Sequence, residues 1–199
     1  MPEVCTIAVI GAGPVGQSIA QAVARAGYRT LLEDLLPASL RRAEAGIRRL
    51  LTLAVEQGRT TRAQADAALA RIQYTRSLEE AARAADLVIE AVPDELESKL
   101  EIFLLLDKMC RPQTILASST SSFSPEEIAA VTWRPGKCLG MHLRDTAADP
   151  PRVEIVPTRQ TEEEVLAAVT AVARLIDGSA ALVPESAAFV PAGTPEAKS

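Results

Sequence analysis

Thr6-Ile-Ala-Val-Ile-Gly-Ala-Gly-Pro-Val-Gly-Gln-Ser-Ile-Ala20 is the segment of this 199-residue chain from which its architecture can be predicted first. A short apolar run over residues 7–10 meets three glycines in G-x-G-x-x-G spacing, and an Ala-rich helical pattern follows. The order strand, tight turn, helix is typical of a loop that holds a dinucleotide. Its phosphates lie at the helix N-terminus, where free N–H groups and the helix dipole favour negative charge.

Each glycine of this loop has a predicted role. Gly11 permits the turn, Gly13 lets the backbone approach a pyrophosphate, and Gly16 allows the helix to pack closely on the strand. The loop residues predicted to bind the dinucleotide are Gly11, Ala12, Gly13, Pro14, Val15 and Gly16. Asp34 ends the next apolar run, where a carboxylate accepts hydrogen bonds from the adenosine ribose. Because Leu35 rather than an arginine follows it, we predict that the cofactor is NAD and not NADP.

Composition excludes several other classes of protein. The net charge is −5 with Lys and Arg scattered among acids, which argues against a nucleic-acid partner. No stretch approaches the ~18 apolar residues of a membrane span, and the N-terminus lacks the pattern of a signal peptide. The three cysteines form no paired motif, so reduced thiols in a cytoplasmic protein are expected. His142 is the only histidine, so no histidine-based metal cluster is predicted.

Strand and helix patterns alternate along the chain. Strands are predicted at residues 7–10, 30–33, 72–74, 87–91, 114–117, 138–142, 153–157 and 180–183, with helices between most of them. This alternation predicts an α/β fold of the Rossmann type, a doubly wound and mostly parallel sheet. We expect one NAD-binding domain over residues 1–184 and a flexible tail over residues 185–199.

Several segments, taken in order, resemble the NAD-binding domain of the 3-hydroxyacyl-CoA dehydrogenases. They are the glycine segment at 7–16, Ala85-Asp-Leu-Val-Ile-Glu-Ala-Val-Pro93, Ile115-Leu-Ala-Ser-Ser-Thr-Ser-Ser122, Gly140-Met-His142 and Val153-Glu-Ile-Val156. Together they cover about residues 5–184, and their order and spacing are more specific than the glycine motif alone. The resemblance implies NAD-dependent oxidation of a 3-hydroxyacyl substrate to a 3-ketoacyl product in fatty-acid metabolism.

The resemblance also implies roles for individual residues. His142 matches the family's catalytic histidine, which takes the hydroxyl proton. Glu154 matches the carboxylate that orients this histidine, and we expect it to pair with His142 and raise the imidazole pKa. Ser121 matches a serine that contacts cofactor and substrate. Asp94 and Lys99 align with an acidic residue and a lysine near the cofactor.

The sequence departs from the family pattern at several places. Ser119 replaces an asparagine, and Leu143-Arg-Asp-Thr146 replaces the family's Phe-Phe-Asn-Pro. Ala187-Ala-Phe-Val-Pro191 lacks the asparagine that polarises the substrate carbonyl in the family. Leu50 and Gln57 occupy helix positions that the family uses for CoA. The family's helical C-terminal domain, which completes the substrate cleft, has no counterpart in these 199 residues.

Three functions therefore remain open. The first is a dehydrogenase of the 3-hydroxyacyl-CoA type with a small-molecule substrate such as an acyl-CoA. The second is a catalytically weak NAD(H)-binding module that depends on a partner chain supplying the helical domain. The third is a dehydrogenase for a small free hydroxy acid, with Arg144 binding the substrate carboxylate. Apolar surface left without the helical domain predicts either self-association or such a partner, and no membrane contact.

Overall fold

A computed structural model describes residues 3–144 and 151–184 of the chain. Within them an eight-stranded sheet has the order β3-β2-β1-β4-β5-β6-β7-β8. The strands are β1 (Thr6–Ile10), β2 (Arg29–Glu33), β3 (Ile72–Thr75), β4 (Leu87–Glu90), β5 (Ile115–Ser118), β6 (Cys138–Arg144), β7 (Arg152–Pro157) and β8 (Ala181–Leu182). Only β6 and β7 pair antiparallel. The predicted, mostly parallel sheet is therefore confirmed, with β3 at one edge.

Helices cover both faces of the sheet, as a doubly wound fold requires. They are α1 (Pro14–Arg25), α2 (Pro37–Glu56), α3 (Arg62–Ala70), α4 (Leu78–Ala84), α5 (Leu96–Met109), α6 (Pro125–Ala129) and α7 (Glu163–Asp177). One apolar core joins α1, α2, α3 and α7 to the sheet, and a second joins α4, α5 and α6 to its other face. None of the described helices is long and apolar enough to cross a membrane.

The alternation of side chains along the strands sorts residues between these two cores. Ile7 and Val9 enter the first core, whereas Ala8 and Ile10 enter the second, and all four are buried. Because both faces are covered, the strands consist of apolar runs rather than alternating patterns. The polar residues that do occur near the carboxyl ends of these strands therefore require a specific partner or a function.

The order of the strands determines where a ligand-binding crevice lies in this fold. β1 lies between β2 and β4. The strands β2 and β3 therefore extend the sheet to one side of β1, and the strands from β4 onward extend it to the other side. In open α/β sheets ligands bind in the crevice outside the carboxyl ends of the strands at such a switch point. The glycine loop follows β1 directly, so it lies at this crevice.

Two helix N-termini depart from the capping that the segments Ser77-Leu-Glu-Glu80 and Thr161-Glu-Glu-Glu164 favour by sequence. Ser77 accepts a hydrogen bond from the Glu80 amide at 3.1 Å, but the Glu80 carboxylate accepts from Thr75 Oγ1 instead of closing a capping box. Thr161 does not cap α7, since its hydroxyl donates to the Cys138 carbonyl at 2.7 Å and fixes the loop to β6. The predicted tail at residues 185–199 and the departures at Asp145, Thr146 and residues 187–191 lie outside the described residues.

Candidate active site

A cavity of about 780 Å³ opens at the carboxyl ends of β1, β2, β4 and β5. Eight of the residues predicted for the site line it: Gly11, Gly13, Pro14, Val15, Asp34, Asp94, Lys99 and Ser121. The other four predicted residues, Ala12, Gly16, His142 and Glu154, are not among its lining residues. The cavity is therefore built mainly by the first two-thirds of the chain.

The three glycines of the loop occupy different surroundings. A Cβ on Gly11, whose φ is +102°, would lie 2.6 Å from the Ala91 carbonyl oxygen. A Cβ on Gly16 would lie 1.8 Å from the Gly11 carbonyl oxygen, so α1 packs on β1 only because this residue has no side chain. No atom lies within 4 Å of the Cβ position at Gly13, which lines the cavity. Gly11 and Gly16 thus serve packing, and Gly13 leaves space for a ligand.

The N-terminus of α1 points at this space without a side-chain cap. Gly13 is its N-cap residue, Pro14 follows, and no acidic residue occupies the first turn. The first amides of a helix lack intrahelical partners and carry the positive end of the dipole. An anionic group in the cavity therefore finds uncompensated donors here.

Asp34 connects the end of β2 to the glycine loop. Its Oδ2 accepts a hydrogen bond from the Ala12 amide at 3.0 Å, and its Oδ1 accepts from the Leu36 amide at 2.9 Å. Ala12 itself is buried and does not line the cavity, and its amide instead positions the Asp34 carboxylate. Each carboxylate oxygen keeps a further lone pair for a ligand hydroxyl.

Sequence reasoning missed Glu90, the last residue of β4. It is completely buried, and its carboxylate accepts from Lys99 Nζ at 2.9 Å, Ser118 Oγ at 2.6 Å and the Val92 amide at 2.8 Å. Three donors offset the desolvation of this buried charge. A glutamate at the end of the apolar run 87–91 was the available signal, because a buried carboxylate there requires a cation.

Lys99 is consequently held beneath the cavity and is 1% exposed. It also donates to the Val92 carbonyl at 3.3 Å and lies 3.5 Å from Asp94 Oδ1. Asp94 is exposed and accepts a hydrogen bond from Thr120 Oγ1, in the loop that contains Ser121. Burial alone would raise the pKa of Asp94, but hydrogen bonds from Ser122 and Thr120 and the charge of Lys99 lower it.

His142 and Glu154 lie directly opposite each other in the antiparallel pair β6–β7. The predicted hydrogen bond between them is nevertheless absent, and this expectation is wrong for the structure. Arg144, two residues after His142 and on the same face of β6, donates its Nε to Glu154 Oε2 at 2.9 Å. His142 is buried, and neither of its ring nitrogens has a hydrogen-bond partner within the described part of the chain.

The electrostatics of His142 follow from this arrangement. Burial and the Arg144 guanidinium lower its pKa from 6.5 to about 4. Glu154, the Thr120 carbonyl and Asp94 act in the opposite direction but are outweighed. The predicted rise in the pKa of His142 is therefore reversed, because burial and the Arg144 guanidinium together outweigh the effect of the Glu154 carboxylate. The imidazole is neutral at pH 7.

The end of the cavity near β2 is apolar, which sequence reasoning did not predict. Leu36, Leu78, Ile102 and Leu105 line it, and Leu36 is 61% exposed. Glu33, also among the lining residues, is 3% exposed, and its Oε1 has no hydrogen-bond partner in the described residues. Burial, and then the charge of Asp34, raises the pKa of Glu33 to about 7.

Comparison with known proteins identifies the domain to which this site belongs. A profile of the family described as "3-hydroxyacyl-CoA dehydrogenase, NAD binding domain" matches residues 6–186. The chain belongs to this family. The resemblance in the glycine loop and in the later segments is thereby confirmed, and NAD is the cofactor.

Individual relatives agree with this assignment. A probable 3-hydroxybutyryl-CoA dehydrogenase of Bacillus subtilis (strain 168) is 39% identical over 191 residues, covering 94% of this chain and 65% of the relative. A 3-hydroxyadipyl-CoA dehydrogenase of Escherichia coli (strain K12) is 38% identical, covering 83% of this chain and 35% of the relative. The crystal structure of (S)-3-hydroxybutyryl-CoA dehydrogenase from Ralstonia eutropha has a TM-score of 0.88 at 32% identity, covering 94% of this chain and 66% of that one. The chain spans about two-thirds of the length of the Bacillus and Ralstonia proteins.

The residues of this NAD-binding domain fit the dinucleotide. The open space at Gly13 and the uncapped α1 N-terminus suit a pyrophosphate, and Asp34 suits a ribose diol. Among the described residues no cluster of three or more His, Cys, Asp or Glu side chains could hold a metal ion. The uncapped N-terminus of α1 and the apolar lining of the cavity suit an organic anion with an apolar end.

Proposed function

We propose that this chain carries the NAD-binding and proton-transfer part of a dehydrogenase that oxidises a 3-hydroxyacyl-CoA to a 3-ketoacyl-CoA. The observation that carries the proposal is the position of His142. Gly140 of β6 pairs with Ser118 of the parallel strand β5. Two residues further along each chain, His142 is therefore level with Thr120, in the loop that lines the cavity. This position supports the proposal that the neutral imidazole acts beside the cavity in which NAD would bind.

The chemistry assigned to the chain is proton transfer. NAD, when bound, supplies the hydride acceptor for the hydrogen on the carbinol carbon. His142 accepts the proton of the substrate hydroxyl on a ring nitrogen, so the C–O bond becomes a carbonyl as the C–H bond breaks. A ring nitrogen without a hydrogen-bond partner is available to meet that hydroxyl. Ser121, in the adjacent loop, is proposed to hold the substrate oxygen beside His142.

Glu154 is proposed as the residue that stabilises the imidazolium formed in this step. It lies opposite His142 but is bound to Arg144. Rotation of the Glu154 side chain from the guanidinium to the imidazole would raise the pKa of His142 and make it a better base. Binding of an anionic substrate group to Arg144 is one event that would release Glu154.

The proton-transfer role is tested by His142→Ala. We expect turnover to fall by at least about a hundredfold, because general base catalysis contributes roughly 10²–10⁴. The affinity for NAD should change little, because the dinucleotide is held by the glycine loop and Asp34. Steady-state NADH formation with 3-hydroxybutyryl-CoA and calorimetric titration with NAD measure the two quantities. Unchanged turnover in the variant would refute the role of His142.

The cofactor preference is tested by titrating the chain with NAD and NADP. A 2′-phosphate would lie against the Asp34 carboxylate, and Leu35 and Leu36 supply no positive charge beside it. We therefore expect NAD to bind at least about tenfold more tightly than NADP. Asp34→Asn should narrow the difference. Equal affinities for the two cofactors in the unmodified chain would contradict the assignment of Asp34 to the ribose.

A second candidate function is an NAD(H)-binding module with weak catalysis of its own. The Arg144–Glu154 pair favours this second function, because the Glu154 carboxylate that would assist His142 is hydrogen-bonded to Arg144. NADH formation by the 199-residue chain, alone and mixed with the separately expressed remainder of the Bacillus relative, distinguishes the candidates. Turnover that appears only in the mixture supports the module.

We further propose that residues 1–184 form one NAD-binding domain and that the protein is cytoplasmic. The match over residues 6–186 and the single sheet support the domain boundary. Self-association or a partner helical domain is proposed from the exposed apolar side chains, such as Trp133 at 95% exposure and Leu182 at 56%. Light scattering on the purified chain tests the self-association.

A further inference from the structure

Glu33 is a buried carboxyl for which the described residues provide no hydrogen-bond partner. It is the last residue of β2 and lies between Ile10 of β1 and Thr75 of β3 in the sheet register. It is 3% exposed, it lines the cavity, and its Oε1 has no partner. A buried acceptor without a hydrogen-bond partner destabilises the folded state. Such a group is retained in a cavity when a ligand satisfies it.

The position of Glu33 indicates which part of a bound dinucleotide it would meet. β2 and β6 are four strand spacings apart in the sheet, which is roughly 19 Å. His142 on β6 marks the end at which hydride transfer is proposed, so the β2 end receives the other half of the dinucleotide. Asp34 follows Glu33 directly and is assigned to the ribose of that half. The base attached to this ribose therefore enters the apolar end of the cavity.

The surroundings of Glu33 suit a flat base. Leu78 of α4 and Ile102 and Leu105 of α5 line the same cavity and offer apolar surface for the ring faces. Among the groups that can donate a hydrogen bond in the adenosine half, the ribose hydroxyls are assigned to Asp34. The remaining donor is the 6-amino group of adenine.

We propose that Glu33 is the residue of this chain that recognises the adenine base, by accepting a hydrogen bond from its 6-amino group. This rests on the proposed orientation of NAD, with Asp34 at the ribose. The raised pKa of Glu33 is compatible with this role, because the carboxyl accepts from an amino group in its ionised form and in its protonated form. At a pH above the Glu33 pKa of about 7, where the carboxyl is ionised, a base with a 6-oxo group would instead bring an acceptor against it and bind more weakly.

The test compares NAD with nicotinamide hypoxanthine dinucleotide, in which a 6-oxo group replaces the 6-amino group. For the full 199-residue chain we expect NAD to bind about tenfold more tightly in calorimetric titration, as one hydrogen bond to a charged group allows. Glu33→Leu should remove this preference by weakening NAD binding selectively. Glu33→Gln, which keeps an acceptor oxygen but adds an amide donor, should retain most of the affinity for NAD and should bind the 6-oxo dinucleotide more tightly than the unmodified chain does.

Two controls separate recognition of the base from other effects. Asp34→Asn should weaken both dinucleotides equally, because their riboses are identical. Glu33→Leu should also raise the Tm of the unliganded chain, because it removes a buried unpaired carboxyl, whereas a structural role for Glu33 predicts a lower Tm. An unchanged preference in Glu33→Leu overturns the inference and leaves the proposed function standing. Failure of the unmodified chain to bind NAD overturns both.

Discussion

Glu154 lies within reach of two basic side chains of β6 and forms its hydrogen bond with Arg144 rather than His142. The guanidinium carries a permanent charge and fixed N–H donors, whereas the buried imidazole is neutral at pH 7. An ion pair with the arginine is the more favourable choice in the absence of a ligand. The substitution of the family's Phe-Phe-Asn-Pro by a segment containing Arg144 thus changes the electrostatics at the proposed base.

The effect of Arg144 on the base can be measured directly, because His142 is the only histidine. A pH titration by NMR should give a pKa of about 4 for this single imidazole. In Arg144→Gln we expect the pKa to rise by at least about one unit, because a nearby cation is lost and Glu154 is released. Arg174→Gln removes the same charge from α7, on the opposite face of the sheet, and should leave the pKa of His142 unchanged. The same pKa in both variants would contradict the role of Arg144.

At the scale of elements, the site is made from the ends of strands that the sheet brings together. Glu33, Glu90 and Ser118 each end a parallel strand and point to the face covered by α4, α5 and α6. The Lys99–Glu90 ion pair links α5 to β4 beneath the cavity. Removing one partner of a buried pair typically costs about 3–5 kcal/mol. This ion pair therefore contributes to the stability of the floor of the cavity.

The junction of β1 and α1 gives a matched pair of glycine variants. Gly16→Ala places a methyl group 1.8 Å from the Gly11 carbonyl oxygen, so β1 and α1 must separate. We expect a loss of at least about 2 kcal/mol in the free energy of unfolding, measured by urea denaturation. Gly13→Ala introduces the same methyl group into open space at φ −67°, which alanine adopts readily. It should change stability by less than about 1 kcal/mol and weaken NAD binding by occupying the cavity.

The two glycine variants separate packing from ligand binding. If Gly16→Ala were as stable as the unmodified chain, the close contact between α1 and β1 would not limit the fold. If Gly13→Ala bound NAD with unchanged affinity, the pyrophosphate would not approach this residue.

For the whole molecule, two buried titratable groups make stability depend on pH with opposite signs. The pKa of Glu33 is about 7 in the fold and 4.5 unfolded, so the folded state binds the proton more tightly and stability falls as pH rises through this window. The pKa of His142 is about 4 in the fold and 6.5 unfolded, so the unfolded state binds more protons and stability rises with pH between these values. The two contributions largely cancel in the unmodified chain.

Single variants reveal each contribution. Glu33→Gln should be increasingly more stable than the unmodified chain between pH 5 and pH 8, by up to about 3 kcal/mol. His142→Gln should be increasingly more stable as pH falls from 6.5 to 4, because no buried imidazole then resists protonation. Urea denaturation at a series of pH values measures both. Parallel stability curves for Glu33→Gln and the unmodified chain would show that Glu33 titrates normally in the fold.

Local sequence determined most of the fold and the cofactor loop. The run 7–10 followed by Gly11, Gly13 and Gly16 specifies strand, turn and helix through neighbouring residues, and the family pattern located His142 and Glu154. Hydrophobic periodicity placed all eight strands within a few residues of their positions. These features depend on interactions over a few residues, which a sequence displays directly.

Tertiary structure alone decided which charged groups meet. Whether Glu154 binds His142 or Arg144, whether Glu90 finds Lys99, and whether Glu33 stays unpaired in the cavity depend on strand register and on burial. Burial determines the cost of each charge, and the side chains that could offset it come from distant parts of the chain. The pKa of His142 is lowered for this reason, because desolvation and a neighbouring cation act together at one point in space.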